Sequence, residues 1–182
     1  MWWSPPGPDA KRRIPAEVSS PVATLADVRI AIGSDHAGYE LKSAVAPVLE
    51  AEGHELVDVG TDSKDSVDYP DFAAAAARMV SEGEAERAVI VCGSGVGVSI
   101  VANKIDGIRA VNAHDPDEAE MSRRHNDANV LTLAGSRLSE EEAAPIVDRF
   151  LETDFDGGRH ARRVAKIAAV ESHSHPTDDE EE

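Results

Sequence analysis

Apolar positions along this chain fall into two alternating rhythms. Short runs rich in β-branched residues end in glycine or polar turns. Val28-Arg29-Ile30-Ala31-Ile32 leads into Gly33-Ser34-Asp35-His36-Ala37-Gly38, His54 to Val59 leads into Gly60, and Arg87-Ala88-Val89-Ile90-Val91 leads into Cys92-Gly93-Ser94-Gly95. Ile108 to Asn112 and Asn129 to Leu133 repeat the pattern, the last closing on Ala134-Gly135-Ser136-Arg137. Each run predicts a strand followed by a turn. Between them the period lengthens: Leu41, Ala44, Val45, Val48 and Leu49 recur at helical spacing up to Gly53, and Phe72 to Val80 is an alanine-rich helix. Pro47 is expected to kink the first helix unless the carbonyl it frees faces water. Asp115-Pro116 supplies an N-cap and first-turn pair for a helix through Arg124. Ser139 with Glu142 is a capping box for a helix to Glu152, and a last helix runs from Arg159 to about Val170. Five strands alternating with helices across short loops predict a Rossmann-like three-layer α/β/α sandwich, with a five-stranded parallel sheet and a C-terminal helix.

Ligands of such sheets bind outside the carboxyl ends of the strands. That sorts the polar residues: Asp35-His36, Tyr69, Cys92 to Val98 and Arg137 converge on one edge, whereas His125-Asn126 precede the fifth strand at the opposite end. The turn Cys92-Gly93-Ser94-Gly95-Val96-Gly97-Val98 is the densest feature. Backbone N–H groups of a glycine-rich turn entering a helix point at a common centre and hold an oxyanion there. A cysteine at its start sits where those groups favour the thiolate. A purely structural turn and an inert, packed cysteine fit the same local pattern. The turn lacks the Gly-Lys-Ser/Thr of nucleotide triphosphatases and the spacing of the dinucleotide fingerprint.

Composition narrows the possibilities further. With 182 residues, 41% of them hydrophobic, the chain suits one domain. Residues 1–27 hold five prolines and no periodicity and read as an extended or disordered arm; 28–170 form the domain, and 171–182 an acidic disordered tail. The net charge of −17 argues against nucleic acid and anionic membrane surfaces as partners. A small anion therefore needs locally concentrated arginines. A single cysteine excludes an internal disulfide framework and points to the reducing cytoplasm. No apolar run approaches the roughly 20 residues of a membrane span, and the first residues lack a secretory stretch. His173 and His175 beside the closing acids suit no more than adventitious metal binding.

Six ordered segments carry a resemblance: 33–42, Asp68-Tyr69-Pro70, 92–104, Gly107-Ile108-Arg109-Ala110, 122–131 and 157–164. Together they resemble the ribose-5-phosphate isomerase B family, which also contains the galactose-6-phosphate isomerase subunits. The resemblance implies an aldose–ketose isomerase of sugar phosphates with no metal and no organic cofactor. It implies Cys92 as the base moving a proton between C1 and C2, and Asp35 with His125 as the ring-opening pair. His125 would come from a neighbouring subunit, which places the site at the interface of a homodimer or dimer of dimers. The N–H groups from Gly93 through Gly95, Val96 and Gly97 to Val98 would stabilise a cis-enediolate. Ser94 could relay a proton or simply cap the next helix. Asn126 would bond the enediolate side, and Tyr69 either contacts sugar hydroxyls or acts as a packing hinge. His36, Arg137, Arg159 and Arg163 would bind the phosphate, the last two spaced i,i+4 on one helical face. Ribose 5-phosphate is the expected substrate, with allose 6-phosphate, galactose 6-phosphate, a tetrose phosphate, or binding without turnover as alternatives. Loops 60–68 and 112–117 are the expected determinants of sugar chain length.

Overall fold

A computed structural model describes residues 28–174, so the predicted arm, 1–27, and the tail from 175 onward lie outside the described residues. Five strands form one sheet: β1 (Arg29–Ser34), β2 (Glu55–Asp58), β3 (Arg87–Cys92), β4 (Ala110–Asn112) and β5 (Val130–Ala134). All pairings are parallel, in the order β2-β1-β3-β5-β4. The inner strands are those written as near-continuous apolar runs. Every residue of β5 is buried, as is every residue of β1 and β3 after the first. The edge strands β2 and β4 are only partly covered. β4 is shorter than the predicted 108–112. Ile108 donates its N–H to the Ile105 carbonyl in a turn, and the Arg109 N–H is taken by the Asn129 side chain at 2.8 Å.

Among the described residues six helices complete the layers: α1 (Tyr39–Ala51), α2 (Tyr69–Ser81), α3 (Val96–Ala102), α4 (Pro116–Asn126), α5 (Glu140–Glu152) and α6 (Arg159–Ser174). Leu41, Val45 and Leu49 of α1, Ala119 of α4, and Ile146, Val147 and Phe150 of α5 bury against one face of the sheet. Ala73, Ala76 and Ala77 of α2 with Val98 and Ala102 of α3 cover the other, where small side chains let α2 lie close to β1. α6 packs against α4, outside the sandwich. Both predicted caps form. The Asp115 side chain accepts the Glu118 N–H at 2.8 Å, and Ser139 and Glu142 close a reciprocal box. Each is worth about 1 kcal/mol.

Two details refine the sequence reading. α1 runs through Pro47, which is exposed, as is Ser43, so the carbonyl that loses its donor is open to water. α6 continues to Ser174, so residues 171–174 of the predicted tail are helical; no breaker occurs after Val170 until Pro176.

The chain leaves β1 for β2 on one side and returns for β3 on the other. The connections after β1 and β3 therefore part at a topological switch point, where such sheets open a crevice.

Candidate active site

At that switch point β3 ends in Cys92, which is 5% exposed. Its Sγ accepts the Gly95 N–H at 3.2 Å. Gly95 has φ 74°, a left-handed conformation that costs glycine little and turns its N–H back toward the sulfur. The Ser94 hydroxyl oxygen accepts the Val96 N–H at 3.3 Å within the turn, but the N-cap of α3 is Gly95 and the helix has no side-chain cap, so the expected capping by Ser94 is not formed. Gly97 and Val98 lie in the first turn of α3, whose N–H groups have no acceptor one turn back.

The neighbouring turns are drawn against this one. Gly38 approaches β3 so closely that a Cβ there would stand 2.4 Å from the Val91 carbonyl oxygen. Asp35, 7% exposed, accepts the Gly38 N–H at 2.9 Å through Oδ1 and donates its own N–H to the Val91 carbonyl at 3.3 Å. His36 Nδ1 accepts the Val67 N–H at 3.2 Å, which ties loop 60–68 to this edge and leaves the proton of the neutral ring on Nε2. Lys42, which the sequence reading passed over, is buried under the start of the same loop. Its ammonium donates to Asp58 at 2.5 Å and to the Thr61 carbonyl at 2.9 Å. Tyr69, the first residue of α2, lays its ring over Gly97, where a Cβ would meet Cε2 at 2.8 Å. After β5, the Gly135 N–H donates to the Cys92 carbonyl at 2.8 Å and the Ser136 N–H to that of Gly93 at 3.1 Å. The exposed Arg137 follows directly.

The remaining predicted residues form a second cluster. His125 and Asn126 end α4, just ahead of β5. Ala88 is level with Val130 and Cys92 with Ala134, so this cluster lies beyond the starting edge of the sheet. The length of β5 alone, about 13 Å, separates it from the thiol. The His125 ring stacks on His160 with centroids 4.2 Å apart and planes 8° from parallel. His160 Nε2 accepts from Arg159 Nε at 3.2 Å, and Asp156 Oδ1 from Arg124 Nε at 3.2 Å. Burial, with the positive charges of His125, Arg159 and Arg163, lowers the His160 pKa below the ordinary histidine value, Asp156 opposing. The Arg124 hydrogen bond holds the Asp156 carboxyl below its usual range. Arg159 and Arg163 are exposed on α6. The Asn126 carbonyl accepts from Arg109 Nε at 3.0 Å, beside a cavity of about 260 Å³.

His160, Asp156 and Arg124 were not singled out from the sequence, although His160 directly follows a predicted phosphate arginine. Ligand atoms of His125, Asp156 and His160 all lie within 4.8 Å of one another, a spacing a metal could bridge. The charges point the other way. Two of the three groups already accept from guanidinium donors, and the arginines around them favour an anion.

The fold and these two clusters define a class: a doubly wound α/β protein with a thiol and main-chain donors at its crevice and a cluster of histidines and arginines presented elsewhere on its surface. A family model for ribose/galactose isomerases matches residues 30–167. Ribose-5-phosphate isomerase B of Escherichia coli is 44% identical over 143 residues, covering 79% of this chain and 96% of the relative. The structure of Clostridium thermocellum ribose-5-phosphate isomerase B superposes with TM-score 0.80 at 47% identity, covering 81% of this chain and 99% of the other. Type B ribose 5-phosphate isomerase of Trypanosoma cruzi gives TM-score 0.78 at 42% identity, with the same coverages of 81% and 99%. The chain belongs to the ribose/galactose isomerase family and is an isomerase of that family. Among the described residues no helix is long and apolar enough to cross a membrane.

Proposed function

We propose that this chain interconverts ribose 5-phosphate and ribulose 5-phosphate in a homodimer whose active sites are shared between subunits. The observation carrying the proposal is the separation just described: each edge of one chain holds half of the groups the reaction needs. Pairing the Cys92 edge of one copy with the His125 cluster of another completes two equivalent sites, as two-fold symmetry requires. Exposed apolar residues are available to be covered: Val96 (51% exposed) and Ile100 (57%) on α3, and Ile167 (42%) and Val170 (66%) on α6.

In such a site the phosphate is held by Arg159 and Arg163 from one subunit and by His36 and Arg137 from the other. Ring opening needs a base at the anomeric hydroxyl and an acid at the ring oxygen. Asp35 and His125 fill these roles: the C1–O bond breaks, leaving an aldehyde and a free hydroxyl. The Cys92 thiolate then removes the proton from C2, and the electrons move onto the carbonyl oxygen as a cis-enediolate. Main-chain donors of the 93–98 turn, with Asn126, meet this charge, and losing one such donor costs about 3 kcal/mol. Ser94 can pass the proton between the two oxygens while Tyr69 contacts sugar hydroxyls. Return of the proton to C1 gives the ketose. C1 is reduced as C2 is oxidised, so the reaction needs no external electron carrier and no organic cofactor. The lone thiol suits the reducing cytoplasm.

The test is a substrate panel run on wild type and Cys92→Ala. We expect kcat/KM to be highest for ribose 5-phosphate, above allose 6-phosphate, galactose 6-phosphate and erythrose 4-phosphate. Cys92→Ala should lose turnover and retain phosphosugar binding. Preference for a hexose phosphate would overturn the substrate, and a fully active Cys92→Ala would overturn the base. Binding by wild type without any turnover would leave a phosphosugar-binding module.

A further inference from the structure

We infer that Asn112 is a positioning residue for Cys92, acting through the Ser94–Gly95 peptide group. This rests on Cys92 being the proton-transfer base. The geometry is a short relay. Asn112 Nδ2 donates to the Ser94 carbonyl at 3.3 Å, and the N–H of that same peptide unit, on Gly95, donates to Cys92 Sγ at 3.2 Å. A hydrogen bond at the oxygen of an amide polarises it and strengthens the bond made by its N–H. Asn112 therefore fixes the plane of the peptide facing the sulfur and increases its positive end.

Three further observations support the assignment. Asn112 Oδ1 is buried and has no hydrogen-bond partner among the described residues, so the polar contact this side chain makes is the one through its amide nitrogen. The opposite amide orientation would set Oδ1 against the Ser94 carbonyl, two acceptors together. Oδ1 also fills the space beside Gly95, since a Cβ there would lie 2.1 Å from it; the side chain and the glycine are matched. Finally, Thr132, the β5 partner of Asn112 across the ladder, donates its hydroxyl to the Gly95 carbonyl at 3.0 Å. The peptides on both sides of Gly95 are thus held from adjacent strands at the same level of the sheet.

Other ionisable groups carried to this edge are Asp35 and His36 after β1, Lys42 on α1, Asp58 at the end of β2 with Asp62, Lys64, Asp65 and Asp68 in the loop that follows, Tyr69 on α2, His114 and Asp115 after β4, and Arg137 after β5; α3 carries none. All are unchanged in an Asn112 variant, so comparison with wild type isolates the amide. The experiment follows Cys92 alkylation by iodoacetamide in the full chain, with steady-state kinetics on ribose 5-phosphate. In Asn112→Ala we expect alkylation at pH 7 to slow about threefold to tenfold, the worth of one neutral hydrogen bond. The deficit should vanish near pH 9.5, where a free thiol is largely ionised. kcat should fall by a similar factor with KM within about twofold. Asn112→Asp keeps the shape, removes the donor and adds negative charge beside the sulfur, so it should slow alkylation more than Asn112→Ala while keeping the fold. Wild-type alkylation rates at pH 7 in both variants would overturn the relay. So would a deficit that persists unchanged to pH 9.5, which would mean altered access. Alkylation is read without substrate, so an active Cys92→Ala would refute the base while leaving the relay to be judged on its own data.

Discussion

Gly95→Ala tests the match between the cysteine turn and the strand beside it. At φ 74° an alanine bears the left-handed penalty of about 1–2 kcal/mol. Its Cβ would also fall 2.1 Å from Asn112 Oδ1, so the amide must move and release the Ser94 carbonyl, at a further cost of about 1 kcal/mol. The expected destabilisation is about 2–3 kcal/mol in urea denaturation. Gly107→Ala is the internal control: its φ is 80° and nothing lies within 4 Å of the added methyl, so only the conformational cost of about 1–2 kcal/mol applies. In an Asn112→Ala background the clash with the amide is absent and only the 3.1 Å approach to the Leu133 backbone remains, so Gly95→Ala should then cost less than it does in wild type. Turnover of ribose 5-phosphate should drop about tenfold or more in Gly95→Ala, because the Gly95 N–H no longer meets the sulfur. If Gly95→Ala proved no more destabilising than Gly107→Ala and kept wild-type turnover, the reasoning about this turn would be refuted.

Lys42→Met should lower stability by about 1–3 kcal/mol, since it strips the Thr61 carbonyl and a half-exposed Asp58 of a buried ammonium donor; an unchanged urea midpoint would contradict this. The His160 pKa is lowered in the folded chain, first by burial and then by neighbouring cations, from an unfolded value near 6.5. The stability contributed by its neutral form is complete above that value and is lost as pH falls through it toward the lower folded value. Wild type should therefore lose more stability between pH 7.5 and 5.5 than His160→Gln does, and parallel profiles would exclude the effect.

The three inner strands and both caps were legible because their signals are local: β-branched runs closed by glycine turns, and Asp or Ser three residues ahead of the amide it accepts. The edge gathering Asp35, Tyr69 and Cys92 was legible from topology, which sends every parallel strand's carboxyl end the same way. Pairings between distant segments left no such trace. The His125–His160 stack joins α4 to α6. Lys42 reaches across to loop 60–68, and Asn112 reads locally as the last residue of a short strand. Its meaning depends on which strand lies next to β5, and the order β2-β1-β3-β5-β4 is a tertiary property. The reach of α6 to Ser174 was missed because Val170 is merely the last apolar position, not a stop.

A mixing experiment tests the shared site most directly. Cys92→Ala and His125→Ala homodimers, each inactive, are combined under conditions where subunit exchange is verified by mass spectrometry. Random exchange places half the chains in mixed dimers, each with one intact site, so activity should return to roughly a quarter of wild type. Verified exchange with no recovered activity would show that each chain must supply both residues to its own site, and would contradict the arrangement proposed here.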